Sequence, residues 1–253
     1  MAGLETGTTM HRILLRFLFA MMFIIQVLLC PTIASAGAPT VFKHVGNDIK
    51  YTFASWPMFV ILGGGIAAGG FTQLDQDIAN QFRDNPRLGK FDKIADIASA
   101  PYVVDSAALL TWGAAKLAHD DKIAMTGEAM VEALALTEGS VLGWKVIFRR
   151  TRPDGGHYSF PSTHAARTFA VASVLETLHG PAAGIPAFLI AGLISFSRID
   201  QNSHYLSDVV FGAAWGAALG WGTARYHSKL FKEKLVITPS CAGNPGIGIA
   251  YLF

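Results

Sequence analysis

Charge is scarce in this chain. Only 15% of its 253 residues are Asp, Glu, Lys or Arg, against about 25% in an ordinary soluble domain. The net charge of +2 and the lack of any Lys/Arg-rich block remove the electrostatic case for a nucleic-acid partner. Cysteine is nearly missing: of Cys30 and Cys241, the first lies in an expected export signal, so cleavage would leave no intrachain disulfide. There is no HExxH, no glycine-rich P-loop, no CxxC and no Asp/Glu/His set at metal-ligand spacing. The runs "VVFGAAWGAALGWGTA" and 56–71 also fall a little short of the roughly 20 apolar residues that a membrane span needs.

What is present is apolar. Half of the chain is hydrophobic, and many of its 26 glycines sit inside greasy runs such as "ILGGGIAAGG", where small residues permit close helix packing. Residues 1–36 read as a signal peptide or N-terminal anchor. "HRILLR" supplies positive charge, "FLFAMMFIIQVLL" the apolar stretch, and "ASA" a cleavage site before Gly37. Leu29 before Cys30 argues against lipoprotein processing. An extended lead-in is expected over 37–54, a helical domain over 55–228, and a tail over 229–253. After "GNPG" the tail alternates through Ile247, Ile249, Tyr251 and Phe253, which predicts a short strand or hairpin. The helices expected late in the chain run over about 162–179, 184–198 and 204–227. Asp105, Glu128, Glu132 and Glu138 lie within expected helices, and such charges are costly in lipid unless they face a bundle interior. A bundle resting on a membrane and one crossing it both fit.

Three polar clusters interrupt the apolar pattern. In "KVIFRRTRP", Lys145 and Arg152 are seven apart, close to two helical turns. Pro153 turns the chain away from helix, so Arg152 projects from the loop beside the helix end. Alone, the cluster also reads as a basic helix C-terminus that favours the dipole. In "FPSTHAARTF", Ser162 or Thr163 can cap the next helix, and His164 lies in its first turn. Free N–H groups there form an anion site, or the motif is an ordinary cap with a chance histidine. In "SRIDQNSHYLSD", His204 and Asp208 are i and i+4. A carboxylate so placed accepts the Nδ1 proton and leaves Nε2 free to attack. Arg198 supplies a forked cation for an oxyanion; a helix-start salt bridge is the plainer alternative. Together, three fixed cations, a helix N-terminus and two histidines suit phosphoryl transfer without a metal. The cations would stand in for magnesium, one imidazole attacking and the other protonating the leaving oxygen.

These motifs resemble the type 2 phosphatidic acid phosphatase superfamily, which includes bacterial class A acid phosphatases and vanadium haloperoxidases. Its signature is K-x6-R-P, then P-S-G-H, then S-R-x5-H-x3-D. The chain has Lys145, Arg152 and Pro153; Pro161, Ser162, Thr163 and His164; and Ser197, Arg198, His204 and Asp208, every spacing matching. Thr163 stands where the signature has glycine; its amide can still donate, while its β-branch leaves substrate size open. The resemblance covers about residues 55–228. It implies an all-α helical bundle with the site at one end. It also implies that Lys145, Arg152, Arg198, Ser162 and the Thr163 amide bind phosphate, that His204 becomes a phosphohistidine oriented by Asp208, and that His164 is the general acid. No metal or cofactor is implied; vanadate is expected to inhibit as a phosphate mimic.

The activity expected is hydrolysis of a lipid phosphate at the periplasmic face, by an exported protein associated with the membrane. A soluble broad-specificity acid phosphatase, a vanadate-dependent haloperoxidase and a non-catalytic membrane protein are the alternatives. Asp92 and Asp96 read as a solvated helix face, His157 as a solvated loop residue, His179 as a helix C-terminal residue, and Glu138 as a partner for Lys145.

Overall fold

The structure is a computed structural model that describes residues 38–83, 85–240 and 246–251. The expectations for residues 1–36, for Cys30 and for Cys241 lie outside the described residues. The chain forms two compact units, Met1–His44 and Val45–Phe253. Of the first only a helical backbone from Ala38 is described; the bundle and the site belong to the second.

Up to Lys234 the described residues form an all-helical bundle. The helices are α1 (Ala38–Phe53), α2 (Pro57–Phe71), α3 (Asp75–Arg83), α4 (Lys90–Ala98), α5 (Pro101–Leu117), α6 (Asp121–Phe148), α7 (Thr163–His179), α8 (Pro181–Asp200) and α9 (Leu206–Lys234). Their starts follow local chemistry. Proline opens α2, α5 and α8, where its missing N–H costs nothing. Asp120 caps α6 by accepting from the Ile123 amide at 3.0 Å, and Ser162 caps α7 through the Ala165 amide. After α9 the backbone of β1 (Leu235–Ser240) pairs antiparallel with β2 (Gly246–Tyr251), Leu235 opposite Tyr251.

The extended lead-in expected over 37–54 is instead helical. Tertiary packing overrides its weak local preference: Asp48 and Thr52, one turn apart, are fully buried. Asn47 Nδ2 also reaches the Tyr226 hydroxyl of α9 at 3.1 Å. Gly222 makes room for Thr52, because a Cβ there would lie 1.9 Å from Thr52 Oγ1. This part of α1 thus packs into one body with α9, and no boundary falls at residue 54.

One seam fixes the bundle at the end that matters. A Cβ on Gly212, Gly216 or Gly220 of α9 would lie 2.6, 1.8 or 2.3 Å from the carbonyl oxygens of Ser162, Ala166 and Ala170. Both helices thus meet through residues four apart, backbone against backbone. At the top of the seam the Ser162 amide donates to the Asp208 carbonyl at 3.0 Å, tying the start of α7 to the start of α9. Within "ILGGGIAAGG" only Gly64 is similarly crowded, against Ala214 of α9.

Outside this seam the helices are greasy on their outer faces: Ile66 is 79% exposed, Leu117 85% and Ile147 70%. Among the described residues, α8 alone is long and apolar enough to cross a membrane. Two bent pairs, His44–Phe53 with Pro57–Phe71 and Lys90–Ala98 with Pro101–Leu117, would raise that number to three.

Candidate active site

The loop between α6 and α7 is built to turn side chains back toward the helix ends. α6 stops because Arg149 adopts the left-handed conformation (φ 46), which reverses the chain. The Ser159 amide then donates to the Arg150 carbonyl at 2.8 Å, and a tight turn joins the Arg152 and Gly156 backbones. Gly155 supplies a φ of 86, which costs glycine nothing. The Tyr158 carbonyl accepts from Lys145 Nζ at 2.6 Å, so the lysine folds over the loop beside Arg152.

Asp208, fully buried, is the hub. As the third residue of α9 it accepts from the Tyr205 amide at 3.0 Å, half of a capping box. Its Oδ2 also takes the Ser159 hydroxyl at 2.5 Å, and its Oδ1 takes Arg150 at 2.7 Å. Arg150 further binds Asp75 of α3 at 2.7 Å and lies over the Tyr205 ring at 4.2 Å. Asp75 in turn accepts from both the amide and the hydroxyl of Ser207. Burial pushes the Asp208 carboxyl up, but the His204 ring, the Ser159 hydroxyl and the Arg150 charge outweigh it and hold it below the usual carboxylate range.

His204 is 3% exposed and sits just ahead of α9, its amide held by the Arg198 carbonyl at 3.1 Å. Nδ1 lies 3.8 Å from Asp208 Oδ2 and 3.5 Å from Ser159 Oγ. Burial drives its pKa down to about 4, with the Lys145 and Arg152 charges adding to the push. The ring is therefore neutral at pH 7. His164 behaves alike: burial first, then Arg167, His204, Arg152 and Lys145, push it down to about 3. The two imidazoles are close enough for their charges to interact, and the same two cations bear on both. Arg167, buried under His164, is held by Glu138 at 2.5 Å and by the Ser99 carbonyl at 2.8 Å.

Arg198 lies buried near the end of α8. Asp96 of α4 binds its guanidinium and also accepts from Gln201 at 3.2 Å. Arg198 Nε and Arg152 Nε are buried with no hydrogen-bond partner among the described residues. By helix geometry the Thr163 and His164 amides, at the first positions of α7, also point out of the helix end.

Most of the residues that the sequence motifs pick out therefore gather at one end of α6, α7 and α9, with corrections. His204 precedes the helix, so Asp208 reaches its Nδ1 at 3.8 Å with Ser159 between them, rather than by the direct bond expected from i,i+4 spacing. Asp92 is buried and Asp96 is bound to Arg198, so they are no solvated face: α4 is folded against the end of α8. Glu138 pairs with Arg167 and not with Lys145, because that face of α6 packs on α7. His179 bonds the Thr126 hydroxyl at 2.8 Å, and His157 stacks edge-on against Tyr158. Sequence reasoning misses Arg150, Ser159 and Asp75 as parts of the site. The doubled arginine in "RRTRP" is the one available hint.

A buried histidine–carboxylate pair, a second imidazole and the Lys145 and Arg152 cations thus lie together at one end of the helical bundle. Residues 128–232 match the PAP2 superfamily model. The chain is 38% identical over 91 residues to a lipid A 1-phosphatase of Porphyromonas gingivalis, covering 34% of this chain and 20% of that protein. It is 37% identical over 87 residues to a decaprenylphosphoryl-5-phosphoribose phosphatase of Mycobacterium tuberculosis, covering 30% and 47%. The chain thus spans less than half the length of these curated relatives. Among solved structures its fold resembles a transmembrane PAP2-type phosphatidylglycerolphosphate phosphatase from Bacillus subtilis. There the TM-score is 0.60 and the identity 21%, covering 69% of this chain and 96% of that one. It also resembles LpxE of Aquifex aeolicus, with a TM-score of 0.51 and 24% identity, covering 60% and 96%.

Proposed function

We propose that the chain is a metal-independent phosphatase that removes phosphate from a lipid phosphate through a phosphohistidine at His204. The observation that carries this is the neutral, buried His204 imidazole, backed by Asp208 and Ser159, with Lys145 and Arg152 bearing on it and on His164. Lys145, Arg152 and Arg198, with Ser162 and the Thr163 amide, bind the phosphate oxygens and stabilise the charge that spreads over them in the transition state. His204 Nε2 forms the N–P bond as the P–O bond to the lipid breaks. His164 gives its proton to the departing oxygen, then takes one from the water that attacks the phosphohistidine and returns His204. Burial first, and then the cations, push His164 down; a bound phosphate dianion offsets the cations, because its charge raises the pKa of a neighbouring imidazole. That is the direction a general acid needs.

A lipid substrate is supported by the exposed apolar faces of α2, α5, α6 and α8 and by the lipid-linked phosphates named for the relatives. We place the protein at the periplasmic face of a membrane, in line with the export signal read in residues 1–36, and take the C-terminal hairpin as an appendage with no part in the chemistry. The test is phosphate release from phosphatidic acid, phosphatidylglycerol phosphate and undecaprenyl diphosphate in mixed micelles, with chelator present. The wild type should turn over at least one of them, vanadate should inhibit, and alkali-quenched enzyme should carry an acid-labile phosphate that His204→Ala lacks. Equal turnover by that variant, or a preference for small soluble esters in the absence of detergent, would overturn the reading.

A further inference from the structure

Behind His164 stands a second cluster of charges that the phosphate site does not use. Arg167 follows His164 by three residues on α7, so the two side chains share a face, with Cβ atoms about 5–6 Å apart. Arg167 is 2% exposed. Its Nε donates to Glu138 Oε1 of α6 at 2.5 Å, and Nη1 donates to the Ser99 carbonyl, at the end of α4, at 2.8 Å. Asp105 Oδ1 of α5 lies 4.0 Å from Nε. That oxygen is buried with no hydrogen-bond partner among the described residues, so it meets the arginine as a charge alone. One guanidinium is thus held in place from α4, α5 and α6 at once.

This guanidinium bears on the imidazole. Burial acts first on His164, and among the charges Arg167 acts most strongly, ahead of His204, Arg152 and Lys145. Those three reach the ring from just ahead of α9, from the loop and from α6. Arg167 reaches it from α7 itself, and Glu138 and Asp105 act on Arg167 from α6 and α5. What stands behind His164 is therefore a cation partly cancelled by two carboxylates. At an effective dielectric constant of about 20, one unit charge about 7 Å away moves a proton affinity by about one to two pH units, so the balance of this cluster matters.

We propose that Arg167 is a positioning residue for the proton-transfer part of the reaction: held by Glu138, Asp105 and the Ser99 carbonyl, its charge sets how tightly the His164 imidazole keeps its proton. The proposal rests on the reading of His164 as the general acid. Without Arg167 the ring would hold its proton too tightly to give it up and then act as base on water. Without the carboxylates the ring would seldom carry a proton to give.

The two halves of the ion pair should therefore act in opposite directions, and the alkaline limb of kcat on phosphatidic acid, an alkyl ester, reads this. Arg167→Gln keeps polar contacts and removes the cation, so the limb should move up by about one pH unit. Glu138→Gln leaves the guanidinium uncancelled, so the limb should move down by about as much. Arg167→Lys and Glu138→Asp keep the charges and should return it toward the wild-type position. An aryl ester, p-nitrophenyl phosphate, sheds an oxygen that needs no proton and should show none of these movements.

Melting curves report whether each variant folds. If Arg167→Gln does not, the shift in Glu138→Gln and its reversal in Glu138→Asp decide alone. A limb that moves the same way in both neutral variants, that stays in place, or that moves equally on both esters overturns the proposal, because a merely structural role gives those results. If His164→Ala loses as much on the aryl ester as on the alkyl one, it is the reading of His164 as the acid that has failed, taking the role of Arg167 with it.

Discussion

Ser159 Oγ stands 2.5 Å from Asp208 Oδ2 and 3.5 Å from His204 Nδ1, while the carboxylate and the ring are themselves 3.8 Å apart. The aspartate thus acts on the imidazole partly through a hydroxyl. Ser159→Ala should lower kcat about tenfold with KM nearly unchanged, because the ring loses orientation and the phosphate ligands are untouched. Asp208→Asn should cost more, about 10²–10⁴-fold, the range for losing acid–base assistance. Steady-state kinetics on the best substrate separates the two.

Arg150 neutralises two buried carboxylates at once, Asp75 and Asp208, which are 4% and 0% exposed at the side chain. Removing one partner of a buried pair costs about 3–5 kcal/mol; Arg150 is 28% exposed, so solvent offsets part of this and roughly 2–3 kcal/mol is expected. Arg150→Ala should lower the melting temperature and activity together, and Arg150→Met should do the same. Unchanged melting in either would show that the network carries no stability.

The pH dependence of attack and of phosphate binding is set by two groups. His204 must be unprotonated to attack, and its pKa is pushed down to about 4, so kcat/KM should fall only as pH drops through that value. Lys145 must be protonated to bind phosphate. Burial, then the Arg152 charge, lower it to about 8, so KM should rise above pH 8. Lys145→Arg keeps its charge at all accessible pH and should move that alkaline limb upward by more than one pH unit, whatever it does to the maximum rate. Stability has its own sign. His164 and His204 are neutral in the fold at pH values where the unfolded chain binds protons, below its ordinary 6.5. The folded protein should therefore lose stability steadily between about pH 6.5 and 4, seen as a falling melting temperature.

The glycine seam predicts a contrast between identical substitutions. Gly216→Ala places a Cβ 1.8 Å from the Ala166 carbonyl oxygen and must push α7 from α9, a cost of about 1–3 kcal/mol or more. Gly212→Ala crowds Ser162, so activity should fall further than stability. Gly113→Ala, in α5 with nothing within 4 Å, should be neutral or stabilising by up to about 1 kcal/mol. Thermal melts of the three check this.

The sequence carries the chemistry more legibly than the supports. Motif spacing picks out Lys145, Arg152, His164, Arg198, His204 and Asp208 as candidates, because these positions are local and ordered along the chain. Asp75 lies far ahead of Arg150, Ser207 and Asp208 in the chain, and no periodicity announces it. Ser159 sits in an irregular loop where spacing has no meaning. Glu138 looks like a partner for Lys145 because both lie on one helix; its actual partner, Arg167, faces it from another. The helical turns from Asn47 to Thr52 escape a reading of local pattern because they are buried against α9 rather than favoured by their own residues. The close packing of Gly212, Gly216 and Gly220 is legible as a four-residue rhythm, but which helix it meets is not.

That rhythm has a mechanical result. With no layer of side chains to slide on, α7 and α9 form a single girder, and it carries one imidazole near each of its two helix starts. On the proposed mechanism, the spacing between the imidazole that attacks phosphorus and the one that delivers the proton is set before substrate arrives, so docking need only bring the ester to a gap already formed.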